Sequence, residues 1–368
     1  MLPVLVSLVL IAVLRCVLLL RQRAVLRPQD QAYAMGVVTQ RVGQQLWQQG
    51  WPLLLIALLP LPSNAGPLLL FALVVAGWLW ELPPKAAKPF VLDARHGMNR
   101  MTVAAFLREQ AIKLALFAAL ALPAAWLALE LLSRTDKQAW LAIWAIGWGG
   151  WAALRWLQPR YIAPLFDQVE ALPAGELRSR LELLLSRSGV REQRLFLQKT
   201  SARSAQANAQ VSGSARAPRI VLSDTLIAML KADEIEAVVA HELGHIQRGH
   251  LRFQLLMIGA ASFLMVMVAA ALTAGIAEPA ARLALAWALL PSLWFAALPL
   301  VNYWYRRFEF EADDSAAGNA SAAALARALR RLTANNRNAP VADRWYERVY
   351  HTHPATSARL DRLDAAGT

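Results

Sequence analysis

The fold class this sequence predicts is a mainly α-helical, polytopic membrane protein of about seven transmembrane helices, six to seven in all, joined to a small α+β unit. Three observations predict it. The 368 residues are 57% hydrophobic and only 17% charged, with a mean hydropathy of +0.36, which is more apolar surface than a globule of this length buries. The apolar residues gather in runs close to the ~20 residues of a spanning helix. Two polar, arginine-rich regions, 158–253 and 306–368, carry helix and strand patterns of their own.

The apolar runs are 3–20, 51–82, 114–132, 139–157, 255–276 and 283–304. The first could pass for a signal peptide, but no small-x-small cleavage site follows it, so it reads as a retained anchor. It holds the single cysteine, Cys16, preceded by Arg15. No internal disulfide can form, and the arginine spoils a lipoprotein cleavage site. The run 51–82 is interrupted by PLPSNAGP (60–67), whose Pro, Asn and Gly content reads as a turn.

The net charge of +13 and pI near 10.6 fit basic loops that fix orientation and face anionic lipid. No basic-aromatic recognition motif accompanies the charge, so no nucleic acid is expected. If 51–82 forms a hairpin, every basic region falls on one side, as the positive-inside rule prefers. That favours seven short or tilted helices, with the N-terminus outside and both polar regions in the cytoplasm. The expected units are 1–157, 158–253, 254–305 (a helical hairpin) and 306–368.

Within 158–253, residues 175–188 have helical spacing, while RLFLQKT (194–200) and RIVLSDT (219–225) read as strands. ANAQVSGS (207–214) is a candidate edge strand. Asp233 and Glu236 form a capping-box pattern ahead of a helix with Ile235, Val238, Val239 and Leu243 on one apolar stripe.

On that helix lies HELGH (241–245). Residues four apart share a helix face, so His241 and His245 can present imidazoles to one cation. Zinc suits neutral imidazole, and a catalytic zinc keeps a position open for water. Glu242, beside the first histidine, is placed to act as general base on that water. With six histidines in the chain, a chance H-E-x-x-H has a probability of order one per cent, so a third ligand decides the matter. His250 is one candidate. The pattern H-E-x-x-H-x-x-G-x-x-H would need Gly at 248 and His at 251, where the sequence has Arg248 and Leu251. A capping or packing role suits His250 better. The other candidate lies in EFEAD (309–313): Glu309 completes a His2Glu set, and Asp313, one turn on, is placed to receive the N–H of a ligand histidine. A helical hairpin over 255–304 would return Glu309 to the membrane face that His241 left.

These motifs, with others, make the sequence similar to the integral-membrane zinc endopeptidases called type I CAAX prenyl proteases. HGMNRMT (96–102) resembles that family's HGFN-x-x-T segment, and YIAPLFDQVEALPAGEL (161–177) its YIAPLFDKF-type segment. SARSAQANAQVSG (201–213), RIVLSDTL (219–226), HELGH, FEFEAD (308–313) and HPATSAR (353–359) follow in the family's order. The resemblance covers roughly residues 85–363. It implies one Zn2+ per chain on His241, His245 and Glu309, Glu242 as general base and Asp313 as the partner orienting a ligand. It implies His353 near the scissile carbonyl as oxyanion stabiliser, supported by Arg359, and Asn208 and Ala209 on the edge strand that holds substrate backbone. Helices enclosing a large intramembrane chamber, peptide or protein substrates carrying lipid modifications, and contact with membrane lipids are implied as well.

Three departures, Met98, Gln206 and Gln210, touch neither metal nor base but bear on the substrate pocket. The alanine-, leucine- and arginine-rich composition fits a bacterial inner membrane with the site on its cytoplasmic side. Bacteria generally lack protein prenylation, which raises a second reading: membrane-protein quality control by the same chemistry. A non-catalytic membrane scaffold with a degenerate zinc helix is a third, and loss of Glu242 or Glu309 would have been its signature.

Overall fold

The computed structural model describes residues 2–26, 31–58, 67–134, 137–166, 168–190, 194–214 and 217–366. Its N-terminal half is a set of long helices: α1 (Leu2–Val25), α2 (Ala32–Leu58), α3 (Pro67–Trp80), the short α4 (Leu82–Ala87) with a π-helical continuation (Lys88–Asp93), α5 (Val103–Arg134) and α6 (Lys137–Leu157). Among the described residues, four helical stretches are long and apolar enough to cross a bilayer: 68–93, 103–134, 250–272 and 279–319.

The described parts of the interrupted run 51–82 belong to two helices, α2 and α3. Residues 60–66 of the expected turn lie outside the described residues, but α2 and α3 pack antiparallel on either side of them. Trp47 stacks on Trp80 with centroids 4.7 Å apart. The Trp47 indole N–H donates to the Trp80 carbonyl (2.6 Å), and Trp80 returns the bond to Trp47 (2.9 Å). Where lipid leaves no water to bond an indole, this reciprocal pair satisfies both.

The polar region folds as a four-stranded sheet in the order β1-β2-β4-β3, with β1 (Val169–Ala171), β2 (Arg194–Gln198), β3 (Ala209–Ser214) and β4 (Ala217–Ser223). The β2/β4 pair is parallel, and the β1/β2 and β3/β4 pairs are antiparallel. β3 is therefore an edge strand, as ANAQVSGS suggested. β1 is too short to carry a strand signal. Helices α8 (Asp224–Met229) and α9 (Ala232–Gln247) pack on the sheet, with α7 (Glu176–Arg187) and, later in the chain, α12 (Ala322–Asn335) against α9. Leu181, Leu185, Ile220, Leu222, Ile235, Val239, Leu243 and Leu325 form the core between them. The apolar stripe of α9 faces inward because only that face lacks charge.

The capping box sits two residues earlier than expected. Lys231 precedes the helix, and its N–H donates to the Glu234 carboxylate (2.9 Å). Asp233 and Glu236 instead pair with Arg327 and Arg180. Glu234 shares Arg327 (3.5 Å) and has Arg331 at 3.4 Å as well, so it holds the cap and an ion pair together.

α10 (His250–Leu272) and α11 (Pro279–Asn319) form the expected hairpin. At 1.5 Å per residue, the 41 residues of α11 span about 60 Å, about twice the hydrocarbon thickness. Its last turns therefore run on from the membrane helix into the peptidase region, against α9. The expected boundaries at 253/254 and 305/306 thus fall inside single helices. Gly244 permits the approach of α9 to α11: a Cβ there would meet Ser315 Cβ at 2.9 Å and Ala312 Cα at 3.3 Å. Two final helices, α13 (Arg344–Tyr350) and α14 (Thr356–Ala366), fold back over α11.

Candidate active site

The α9–α11 contact brings His241, His245 and Glu309 together. His241 Nε2 and His245 Nε2 are 3.3 Å apart. Glu309 Oε2 lies 3.5 Å from the first and Oε1 3.4 Å from the second.

Hydrogen bonding behind the rings sets their tautomers. His241 Nδ1 is 2.9 Å from Asp313 Oδ1; a carboxylate can only accept, so the proton sits on Nδ1. His245 Nδ1 is 3.0 Å from His250 Nδ1, and His250 Nε2 is 3.1 Å from Glu311 Oε2. Read from Glu311 inward, His250 donates through Nε2, accepts at Nδ1, and leaves the proton of His245 on its own Nδ1. Both Nε2 atoms then point lone pairs at the same place.

Glu309 adds a third acceptor, with Oε2 buried and without a hydrogen-bond partner. Two imidazole nitrogens and a carboxylate that converge at these distances can hold one cation. Ligands about 2.0–2.1 Å from a tetrahedral centre lie about 3.3–3.4 Å apart, close to the separations here. This donor set fits a single metal ion, and two imidazoles with a carboxylate suit zinc. The field points the same way. Burial opposes charge on His241, yet Asp313 and Glu309 outweigh it and raise its pKa to about 9, a pull that a cation at Nε2 answers as a proton would.

Glu242 is next to His241 on α9, half-buried. Burial pushes its carboxyl up, against the pull of both histidines. A carboxylate with a raised pKa binds a proton more firmly, as a general base near neutral pH requires.

His353, from the loop between α13 and α14, brings Nε2 to 3.4 Å from Glu309 Oε1 with its side chain 64% exposed. It borders the site from the open side. Arg359, expected to support His353, uses its fork elsewhere. Its Nε and Nη2 donate to the two Asp313 oxygens at 2.8 and 2.6 Å, and Nη1 lies 3.3 Å from Glu309. It sits behind the site, buried, and holds Asp313 in place. Breaking a buried ion pair leaves a charge uncompensated, which costs about 3–5 kcal/mol. Arg359→Met is therefore expected to lower the thermal midpoint in detergent well below that of Arg362→Met, whose partner Asp314 is exposed; equal midpoints would contradict this.

Asn208 and Ala209 open the edge strand. The Asn208 carbonyl accepts from Ser223 N–H (3.0 Å), so Asn208 faces β4. By the alternation of an antiparallel ladder, Ala209 turns its N–H and C=O outward. The 96–102 segment braces this strand's approach: Ala205 N–H donates to the Met98 carbonyl (3.2 Å) and Arg100 N–H to that of Arg203 (3.0 Å).

Sequence reasoning missed the Glu311–His250–His245 chain. Its ring partner is visible only in three dimensions, because His250 opens a new helix after the left-handed Gly249 (φ 71°) and lies flat on Phe308, 4.2 Å away. The signal in the sequence was a further histidine, five residues after His245.

Comparison with known proteins gives a consistent picture. The profile of peptidase family M48 matches residues 171–366, and that of the CAAX prenyl protease N-terminal region, five membrane helices, matches residues 35–168. A CAAX prenyl protease 1 homolog of Arabidopsis thaliana is 30% identical over 303 residues, 77% of this chain and 70% of the relative. The CAAX prenyl protease 1 homolog of Homo sapiens is 26% identical over 337 residues, again 77% and 70%. A crystal structure of S. mikatae Ste24p superposes with a TM-score of 0.80, covering 98% of each chain at 22% identity; at that identity it speaks for the fold.

Proposed function

This chain belongs to peptidase family M48 and is a multi-pass membrane metalloendopeptidase acting on peptide or protein substrates; from that premise we propose that it uses zinc to cleave lipid-modified, CAAX-like or other membrane-associated peptides. The observation that carries this is the convergence of two imidazole nitrogens and a carboxylate, separated by 3.3–3.5 Å, with Glu242 next to His241 on the same helix.

In this reading His241, His245 and Glu309 hold the zinc, with Asp313 and His250 fixing the two rings. When bound, the ion polarises the scissile carbonyl and acidifies water at the site. The substrate backbone lies along β3 and bonds the outward groups of Ala209, with Asn208 at the same edge. Glu242 accepts a proton from the attacking water and returns it to the leaving nitrogen. His353, on the open side, donates to the oxygen of the reacting carbonyl as charge develops there. Arg359 acts through Asp313 and so positions rather than touches. The basic loops support a cytoplasmic placement of the site, and the composition a bacterial inner membrane.

The test is cleavage by detergent-purified protein of a farnesylated CAAX peptide and its unmodified twin. A higher kcat/KM for the farnesylated peptide is expected. Equal rates for the twins would move the natural substrate to unmodified membrane proteins, the quality-control reading. Cleavage of neither peptide would remove the CAAX proposal.

A further inference from the structure

The edge of β3 is open at Ala209 but closed one step earlier. On that edge the outward-facing residues alternate, so Ala207 is the next whose N–H and C=O would meet a substrate strand. Both are already bonded. Ala207 N–H donates to Asn336 Oδ1 (2.9 Å), and Asn336 Nδ2 donates to the Ala207 carbonyl (3.0 Å). Neighbouring Asn335 donates to the Ala205 carbonyl (3.2 Å). The side chain of Asn336 thus does what the backbone of a paired strand residue would do, and it ends the groove.

The residue after it is unusual. Arg337, just past the end of α12, has φ 53°, the one non-glycine residue in the left-handed region among those described. Its N–H bonds the Ala334 carbonyl (3.2 Å) and Asn338 N–H that of Thr333 (3.0 Å), a helix ending at which glycine is usual. An arginine kept in this conformation points to a use for its side chain. Its guanidinium lies within electrostatic reach of the Tyr33 hydroxyl, to which Gln206 Nε2 donates (3.2 Å). Arg337 directly follows Asn336, whose amide closes the edge at Ala207, so its backbone stands at the closed end of the groove with the side chain exposed. Among the described residues Arg337 has no ion-pair partner.

A peptide pairing antiparallel with β3 runs its N-to-C direction from Ala209 toward Ala207. We propose that Asn336 terminates the substrate groove and that Arg337 receives the free C-terminal carboxylate of the peptide there. The enzyme then measures its cut from the substrate's C-terminus. This rests on the reading of β3 as the substrate edge. A guanidinium matches a carboxylate in charge and, when both oxygens are engaged, in geometry.

The experiment compares one cleavable peptide as its free acid and as its C-terminal carboxamide, on wild type, Arg337→Gln and Arg337→Lys. The ratio of kcat/KM values is internal to each protein, so differences in folded fraction cancel. Wild type is expected to prefer the acid about ten- to hundred-fold, as a charge-assisted bond provides. The ratio should fall towards one in Arg337→Gln and stay intermediate in Arg337→Lys. Asn336→Ala should improve cleavage of peptides with extra C-terminal residues relative to the parent. A wild-type ratio near one, or an unchanged ratio in Arg337→Gln, overturns the carboxylate assignment while leaving the protease reading intact. If extended and parent peptides keep their wild-type ratio in Asn336→Ala, the terminating role falls. Wild type that cuts no peptide overturns the protease reading and this proposal together.

Discussion

Glu242→Gln is expected to lower kcat for peptide cleavage by about 10²- to 10⁴-fold while metal content stays that of wild type. The substitution keeps shape and volume and removes only the ability to take up a proton. The residue lies off the buried stripe of α9, which is Ile235, Val238, Val239 and Leu243, so the helix and its packing should be undisturbed. The prediction depends on environment as well as identity. Burial raises the pKa of this carboxyl, so it is a stronger base than an exposed glutamate would be. Turnover should be measured on one peptide for both proteins, with elemental analysis of the same samples. A loss under tenfold with full metal would mean that another group moves the proton.

Much of this architecture was legible in the sequence because its signals are local. Apolar runs of spanning length became helices, and α2 and α3, on either side of the Pro- and Gly-bearing interruption, meet where Trp47 stacks on Trp80. The stripe on α9 and the four-residue spacing of His241 and His245 follow from helix geometry alone. Glu309 and Asp313 share a face for the same reason, and the hairpin of α10 and α11 carries them to α9.

The parts that escaped depend on chain segments distant in sequence. The cations around the first turn of α9, Arg327, Arg331 and Arg180, come from other helices. Arg359 was expected to support His353; its two hydrogen bonds go to Asp313, while both residues reach the Glu309 carboxylate. The continuity of α11 through 305/306 was hidden because a change in composition marks the membrane surface, where a helix need not end. Asn336 acts as a strand partner through a side-chain amide, and no backbone pattern announces that.

The central claim is that His241, His245 and Glu309 together hold one metal ion. Glu309 tests it best because it comes from a different helix, and its carboxylate is the only negative charge in the set. Glu309→Gln keeps the volume, and its amide can still bond nearby donors. It loses the charge that offsets a divalent ion, and one of its terminal atoms becomes an N–H2 donor facing two lone pairs. The measurement is zinc per chain, by elemental analysis of detergent-purified protein after dialysis against a mild chelator, for wild type, Glu242→Gln and Glu309→Gln. One zinc in the first two and close to none in the third, with cleavage in wild type alone, is the predicted result. Equal zinc in all three, or none in folded wild type, would contradict the site.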